Sequence, residues 1–283
     1  MATFTNQATL TYNGNIINSN IATGELVEVL SATKTAVVET YTQGQEVTYV
    51  INIVNSGTLA YTGLSITDDL GAYPFGVDVL VPLTYIGGSV KYYVNGVLQP
   101  SPVVNAGPPL VISGLTVPAG GVATIIYVVT ANQYASPEIE GNIVNNATIS
   151  GGGITEITVS ETVNAETEAE LTITKSICPT SVTENGRLTY TFTIQNIGNT
   201  PADVTDAIVV TDTFNPVLTD LVVVFNGASW ATPANYSYNP VTGVFSTVAG
   251  QITVPAATYT QDPATGIWIT EPGVSVLTVT GTV

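Results

Sequence analysis

Apolar and polar residues alternate with a period of two along most of this chain. The segment YTQGQEVTYVINIVNSG from Tyr41 and the segment VTENGRLTYTFTIQNIGN from Val182 share one grammar: a turn, an alternating strand, and an Asn-containing turn near a glycine. Alternation of this kind gives a strand one face for a core and one for water. LSITDDL, ending at Leu70, follows the first segment, and AIVVTDTF, ending at Phe214, follows the second. Each half then reaches a TVPA run, at Thr116–Ala119 and Thr253–Ala256, and a further β-rich stretch, ATIIYVVTANQ or GVSVLTVTGTV. The same order of signals twice over marks an internal repeat. No stretch sustains a helical period. Val, Ile, Thr, Tyr and Gly dominate, with frequent Pro, as short strands joined by tight turns require.

These signals predict an all-β protein of two tandem immunoglobulin-like β-sandwich domains, residues 26–165 and 166–283, with an N-terminal donor strand or hairpin over residues 1–25. The repeat is uneven. The first unit continues with GNIVNNATISGG and a hairpin partner, ITEITVSETV, for which the second has no counterpart before Val283. A match stands at the other terminus: residues 3–12, TFTNQATLTY, share Asn-x-Ala-Thr-aliphatic with residues 142–151, NIVNNATISG. Both are followed by a Gly-containing turn, a β-like run, an acidic linker and a Lys-bearing strand. A sandwich without its last strand exposes core side chains and unpaired backbone groups, a template for strand addition. The expectation is that Phe4, Asn6, Ala8, Leu10 and Tyr12 line the core face of a strand donated to domain 2 of the next subunit. Head-to-tail contacts of this kind do not close and generate filaments. The alternative is a chain whose N-terminal strand completes its own domain 2, leaving a monomeric surface adhesin or carbohydrate-binding module.

Polar residues interrupt the apolar phase at matching places. Leu171, Ile173, Lys175 and Ile177 share one phase, as do Leu30, Ala32, Lys34 and Ala36. Asp68 lies in phase with Leu64, Ile66 and Leu70, and Asp212 with Ile208, Val210 and Phe214. Asn145 shares a phase with Ile143, Ala147 and Ile149, and Asn6 with Phe4, Ala8, Leu10 and Tyr12. Each sandwich equivalent therefore points a Lys, an Asp and an Asn at its core, which is costly unless they are paired. Burial disfavours charge, so an inward lysine tends towards the amine and an inward aspartate towards the acid. The amine can attack the Asn side-chain carbon while the Asp polarises the amide and shuttles protons as ammonia leaves. The product is an isopeptide bond, formed once and without a cofactor because the fold fixes the geometry. The competing reading is a buried Lys–Asp ion pair capped by Asn.

With Lys in the first strand, Thr67-Asp68 and Thr211-Asp212 in the middle and Asn-x-Ala-Thr in the last strand, the chain resembles the bacterial domain-of-unknown-function-eleven repeats. These are β-sandwiches of cell-surface proteins, here in the subgroup that forms such crosslinks. The resemblance covers nearly the whole chain, and the departure is that domain 2 has no Asn-x-Ala-Thr strand of its own. It implies a bond from Lys34 to Asn145 assisted by Asp68, and one from Lys175 to Asn6 of the next subunit assisted by Asp212.

Charge and composition narrow the remaining classes. The net charge of −17 reflects scarce base, with Lys34, Lys91, Lys175 and Arg187 the whole complement and no histidine. Such a surface repels phosphate backbones and anionic lipid. The partner expected is the protein itself, not nucleic acid, and no membrane insertion is expected. Without histidine there is no Ser-His-Asp set, and one cysteine makes no Cys-rich metal site, so neither a metal nor a cofactor is expected, nor an enzyme beyond single-turnover self-crosslinking. Asp203 with Asp206 and Asp68 with Asp69 lack calcium-loop spacing. Tyr92, Tyr93, Trp230, Tyr236 and Tyr238 suit a glycan groove or, equally, sandwich cores and strand faces. Asn95-Gly96 and Asn226-Gly227 read as hairpin turns, Lys91 as a surface residue, and Cys178 as a buried, inert thiol. The first residues lack the regions of a signal peptide. An extracellular place, on a cell or spore surface, then implies a removed leader or release by mother-cell lysis, and a pilus-like fibre, spore appendage or surface layer all fit.

Overall fold

The alternating segments become strands in the computed structural model, which describes residues 2–283, and helix is confined to one 3-10 turn, Val204–Asp206. Two units separate: the residues up to Asn132 with Ile143–Val163, and Gln133–Asn142 with Asn164–Val283. None of the helices among the described residues is long and apolar enough to cross a membrane.

The first unit opens with four short strands, β1 (Ala2–Asn6), β2 (Thr9–Tyr12), β3 (Asn15–Asn18) and β4 (Ala22–Leu26). They fold into a ribbon in which β1 pairs with β4 and β2 with β3 around a turn at Asn13-Gly14, both with positive φ as such a two-residue turn requires. The strand expected over residues 3–12 is thus broken at Gln7–Ala8. There the Ser19 hydroxyl accepts from the Ala8 N–H, and the Ser19 N–H donates back to the Ala8 carbonyl. Every described side chain of the ribbon from Thr3 to Ile21 is exposed, including Phe4 at 60%, Leu10 at 62% and Tyr12 at 66%.

The sandwich of this unit comprises β5 (Leu30–Ala36), β6 (Thr40–Tyr41), β7 (Glu46–Asn55), β8 (Tyr61–Asp68), β9 (Tyr73–Phe75), β10 (Asp78–Leu80), β11 (Leu83–Tyr85), β12 (Lys91–Val94), β13 (Val97–Leu98), β14 (Val103–Asn105), β15 (Leu110–Val117), β16 (Val122–Ala131), β17 (Asn142–Gly151) and β18 (Ile157–Ala165). One sheet runs β13-β12-β16-β7-β5 with β11 also on β16, and the other runs β14-β15-β8-β17-β18-β6. Tyr49, Ile51 and Ile53 on β7, Ile125 and Tyr127 on β16, Leu64 and Ile66 on β8, and Ala147 and Ile149 on β17 are all fully buried between them. The period of two written into these segments is therefore the period of the core.

The second unit carries β19 (Leu171–Cys178), β20 (Arg187–Asn196), β21 (Thr211–Thr213), β22 (Thr219–Phe225), β23 (Ala228–Trp230), β24 (Tyr236–Tyr238), β25 (Val244–Thr247), β26 (Thr258–Gln261), β27 (Trp268–Glu271) and β28 (Gly273–Thr282). Its first sheet, β19-β20-β28-β22-β23, repeats the order β5-β7-β16-β12-β13. Its second sheet has only β21-β25-β24, so β21 ends the sheet where β8 continues into β17 and β18. Phe192, Phe214, Phe245, Leu277 and Val279 are buried in its core. The turns at Asn95-Gly96 and Asn226-Gly227 join β12 to β13 and β22 to β23 with positive φ at all four residues.

Two expectations fail at the same strand. Cys178 is exposed rather than buried, and Lys175, although on the apolar phase, is on a strand whose every residue is exposed. The apolar face of β19 lacks cover of the kind that β17 and β18 give the first unit. Asp203 and Asp206 form a capping box on the 3-10 turn, each carboxylate accepting from backbone N–H groups.

Candidate functional site

In the first unit, a lysine, an aspartate and an asparagine meet between the sheets. Lys34 sits opposite Ile51 on β5, so its side chain points inward and is 0% exposed, as is that of Asp68 at the end of β8. Lys34 Nζ donates to Asp68 Oδ2 at 2.7 Å and to the Asn145 main-chain carbonyl at 2.9 Å, and lies 4.9 Å from the centre of the Tyr49 ring. Asn145 reaches the cluster because β17 pairs with β8 in a register that places Ala147 opposite Asp68. Sequence phase alone put these three residues on core faces, and the fold brings them to one point.

Four further groups complete the cluster. Tyr127, opposite Tyr49 on β16 and stacked on it at 5.6 Å, donates its hydroxyl to Asp68 Oδ2. The Leu70 N–H donates to Asp68 Oδ1 at 3.0 Å. The Gly71 N–H donates to Asn145 Oδ1 at 3.2 Å and to Asp69 Oδ1 at 2.9 Å. Leu70 and Gly71 both have positive φ, and a Cβ on Gly71 would stand 2.5 Å from Ile143 Cγ2, so glycine is required there. Asp69, which reads from sequence as an ordinary turn acid, clamps β17. Its two carboxylate oxygens accept from the N–H and side-chain amide of Asn146, and its own N–H donates to the Asn146 carbonyl.

Burial decides the electrostatics. It pulls the Lys34 ammonium below its ordinary value, against the raising effect of the Asp68 carboxylate. It pushes both phenols up, with the added charge of Asp68; the Asn145 side chain lies near the two hydroxyls and opposes that shift. Asn145 Nδ2 and Tyr49 Oη are buried without a hydrogen-bond partner among the described residues. An amide nitrogen left unpaired in a core is costly. Here it belongs to the carboxamide of the residue whose main-chain carbonyl accepts from Lys34, a lysine whose ammonium burial disfavours.

The second unit repeats half of this arrangement. Lys175 sits opposite Phe192 as Lys34 does opposite Ile51, and its Nζ is paired with Asp212 Oδ2. The ammonium lies 4.4 Å from the Tyr190 ring centre, with Phe192 and Phe214 beyond. The lysine side chain is 40% exposed and the aspartate 16%. On β28 the residue opposite Tyr190 is Val279, so this pair has no counterpart of Tyr127. Asn6 is exposed on β1. Lys91 is exposed, as its sequence context predicts. Tyr127 and Asp69 escaped the sequence reading; the available signal was a tyrosine on the buried phase of β16, whose hydroxyl needs a partner.

No family model matches the chain, and no curated protein matches it. Solved structures similar to it include the pilus backbone protein RrgB of Streptococcus pneumoniae, at 14% identity over 86% of this chain and 55% of that one, with a TM-score of 0.35. They also include BcpA, the major pilin subunit of Bacillus cereus, at 12% identity over 95% and 73% of the chains and a TM-score of 0.35. The collagen-binding subdomain of the Enterococcus faecalis surface protein ACE is similar at 10% identity over 50% and 99%, with a TM-score of 0.31. The chain spans about half the length of the RrgB structure.

Proposed function

We propose that this protein is the structural subunit of an extracellular filament, a pilus-like fibre or spore appendage. Subunits assemble head to tail by strand donation and are fixed by Lys–Asn isopeptide bonds within and between them. The observation that carries this reading is the difference at the two Lys–Asp pairs. Beside Asp68 the sheet continues into an Asn-x-Ala-Thr strand, whereas beside Asp212 it ends at β21. The segment that matches the strand absent there is residues 3–12, exposed in the ribbon and offered by a second copy.

Transferring the register of the first unit sets Ala8 opposite Asp212, as Ala147 is opposite Asp68, with Leu10 opposite Val210 and Tyr12 opposite Ile208. Phe4, Asn6, Ala8, Leu10 and Tyr12 then face the core, and Asn6 meets Lys175. Main-chain pairing along the edge and burial of these side chains supply the affinity. In each site the lysine amine attacks the Asn side-chain carbon beside its aspartate, and one ammonia leaves per bond. The reaction runs once per site, and the protein acts on no diffusible substrate.

Electron microscopy and intact mass of the purified chain test this together. Fibres whose subunit ladder survives boiling detergent, with the mass of one ammonia lost per bond, are expected. Deletion of residues 2–12 is expected to leave only unpolymerised protein. A monodisperse full-length chain that binds a glycan and keeps its full mass would reject the proposal in favour of an adhesin.

A further inference from the structure

The geometry points to Tyr127 as the proton relay of the first site, passing a proton from Asp68 to the departing nitrogen of Asn145. This rests on the crosslinking reading above and adds a group with no counterpart at the second site. An amide nitrogen leaves only when it is protonated, so the reaction needs a donor at Asn145 Nδ2 as well as an acceptor at Lys34 Nζ. Asp68 is placed for the lysine: Oδ1 is held by the Leu70 N–H, and Oδ2 receives both Lys34 Nζ and the Tyr127 hydroxyl. The Asn145 oxygen is held by the Gly71 N–H, while its nitrogen is buried and unpaired. The Tyr127 hydroxyl thus touches the carboxylate oxygen that takes the lysine proton, and the Asn145 side chain that must receive one lies near that same hydroxyl. Stacking on Tyr49 fixes that ring. Burial and the Asp68 charge keep the phenol protonated, as a relay at rest must be.

The protons balance. Lys34 Nζ gives one ammonium proton to Asp68 and attacks Asn145 Cγ, forming the new C–N bond as the carbonyl electron pair moves to Oδ1. Tyr127 passes its phenolic proton to Nδ2 and is refilled from Asp68. The electron pair on Oδ1 re-forms the carbonyl as the C–Nδ2 bond breaks, ammonia leaves, and the attacking nitrogen returns a proton to Asp68. Of the three ammonium protons, one stays in the new amide, one departs with ammonia and one is left on Asp68.

The chain contains its own control, because Val279 stands where Tyr127 would be in the second unit. Chains made by cell-free synthesis can be followed from folding by intact mass, with peptide mapping assigning each bond. Tyr127→Phe keeps the ring and removes the hydroxyl. It is expected to slow the Lys34–Asn145 bond by roughly a hundredfold or more, while the Lys175–Asn6 bond forms at the wild-type rate. Fluorinated tyrosines at position 127 should then give rates that track phenol acidity, which a packing role would not produce. Joining of Lys34 to Asn145 at the wild-type rate in Tyr127→Phe overturns the relay. So does a slow Tyr49→Phe beside an unaffected Tyr127→Phe. A wild-type chain that never forms the bond overturns the crosslinking reading itself, and the relay with it.

Discussion

The two sandwiches hold the same Lys–Asp pair in opposite states of enclosure. Lys34 and Asp68 are sealed between complete sheets, whereas Lys175 and Asp212 lie where β21 has no neighbour on one side. Both lysines follow a threonine on the opening strand and both aspartates follow a threonine further on, so the difference in enclosure comes from the strands that cover each pair. Enclosure disfavours the charged ammonium and so favours the nucleophilic amine. On the proposed function, placing one copy of the machinery behind a finished sheet and the other at an unfinished one would make the second copy wait for its strand.

Mutation of the two acids should break this comparison most visibly. Asp68→Ala leaves a buried lysine without its partner, and is expected to cost about 3–5 kcal/mol in guanidinium unfolding of the first sandwich. Asp212→Ala removes the partner of a solvated ammonium and should cost less than about 1 kcal/mol in the unassembled chain. Equal losses would mean that enclosure does not separate the sites. Asp69→Ala comes next, because it frees Asn146 and loosens β17 beside the reacting amide. About 1–3 kcal/mol is expected, measured by the same unfolding curves.

Asn6→Ala should sharpen the comparison without much change in subunit stability. Fibres would still form but would fall to monomers in hot detergent, whereas Asn145→Ala fibres would keep their ladder. The smallest effect concerns pH. Burial lowers the Lys34 value from 10.5, so the Lys34–Asn145 bond should form faster as pH rises and level off below that value. In an Asn145→Ala chain the same shift means that the unfolded state binds more protons in that window. The first sandwich should therefore gain stability as pH climbs towards 10.5. Above about 10 the raised Tyr49 and Tyr127 act the other way, because the unfolded tyrosines lose their protons first. A flat profile between pH 7 and 10 would contradict both expectations.

Much of this was legible in the residues. The phase of Leu30, Ala32 and Lys34, of Leu64, Ile66 and Asp68, and of Ile143, Asn145 and Ala147 predicts three core-facing polar groups, and the fold sets Lys34 on Asp68 and on the main-chain carbonyl of Asn145. Phase says which side of a strand a residue faces but not whether anything covers that side. Lys175 and Cys178 therefore read as buried and prove exposed, because cover depends on strands remote in sequence. The break at Gln7–Ala8 was invisible for a similar reason, since it follows from the bonds that Ser19 offers across the ribbon. Tyr127 reads as one more apolar residue of ATIIYVVTANQ until the opposite sheet shows where its hydroxyl goes.

Lys34 and the main-chain carbonyl of Asn145 touch across 111 residues of sequence, from the opening strand of the sandwich to one near its close. Once a covalent link stands at that point, a pull on the polypeptide ends crosses the domain through it. Everything between residues 34 and 145 then hangs as a slack side loop, and its sheets carry no tension. Stretched single molecules should show that segment refusing to pay out length, even at forces that unravel unlinked β-sandwiches.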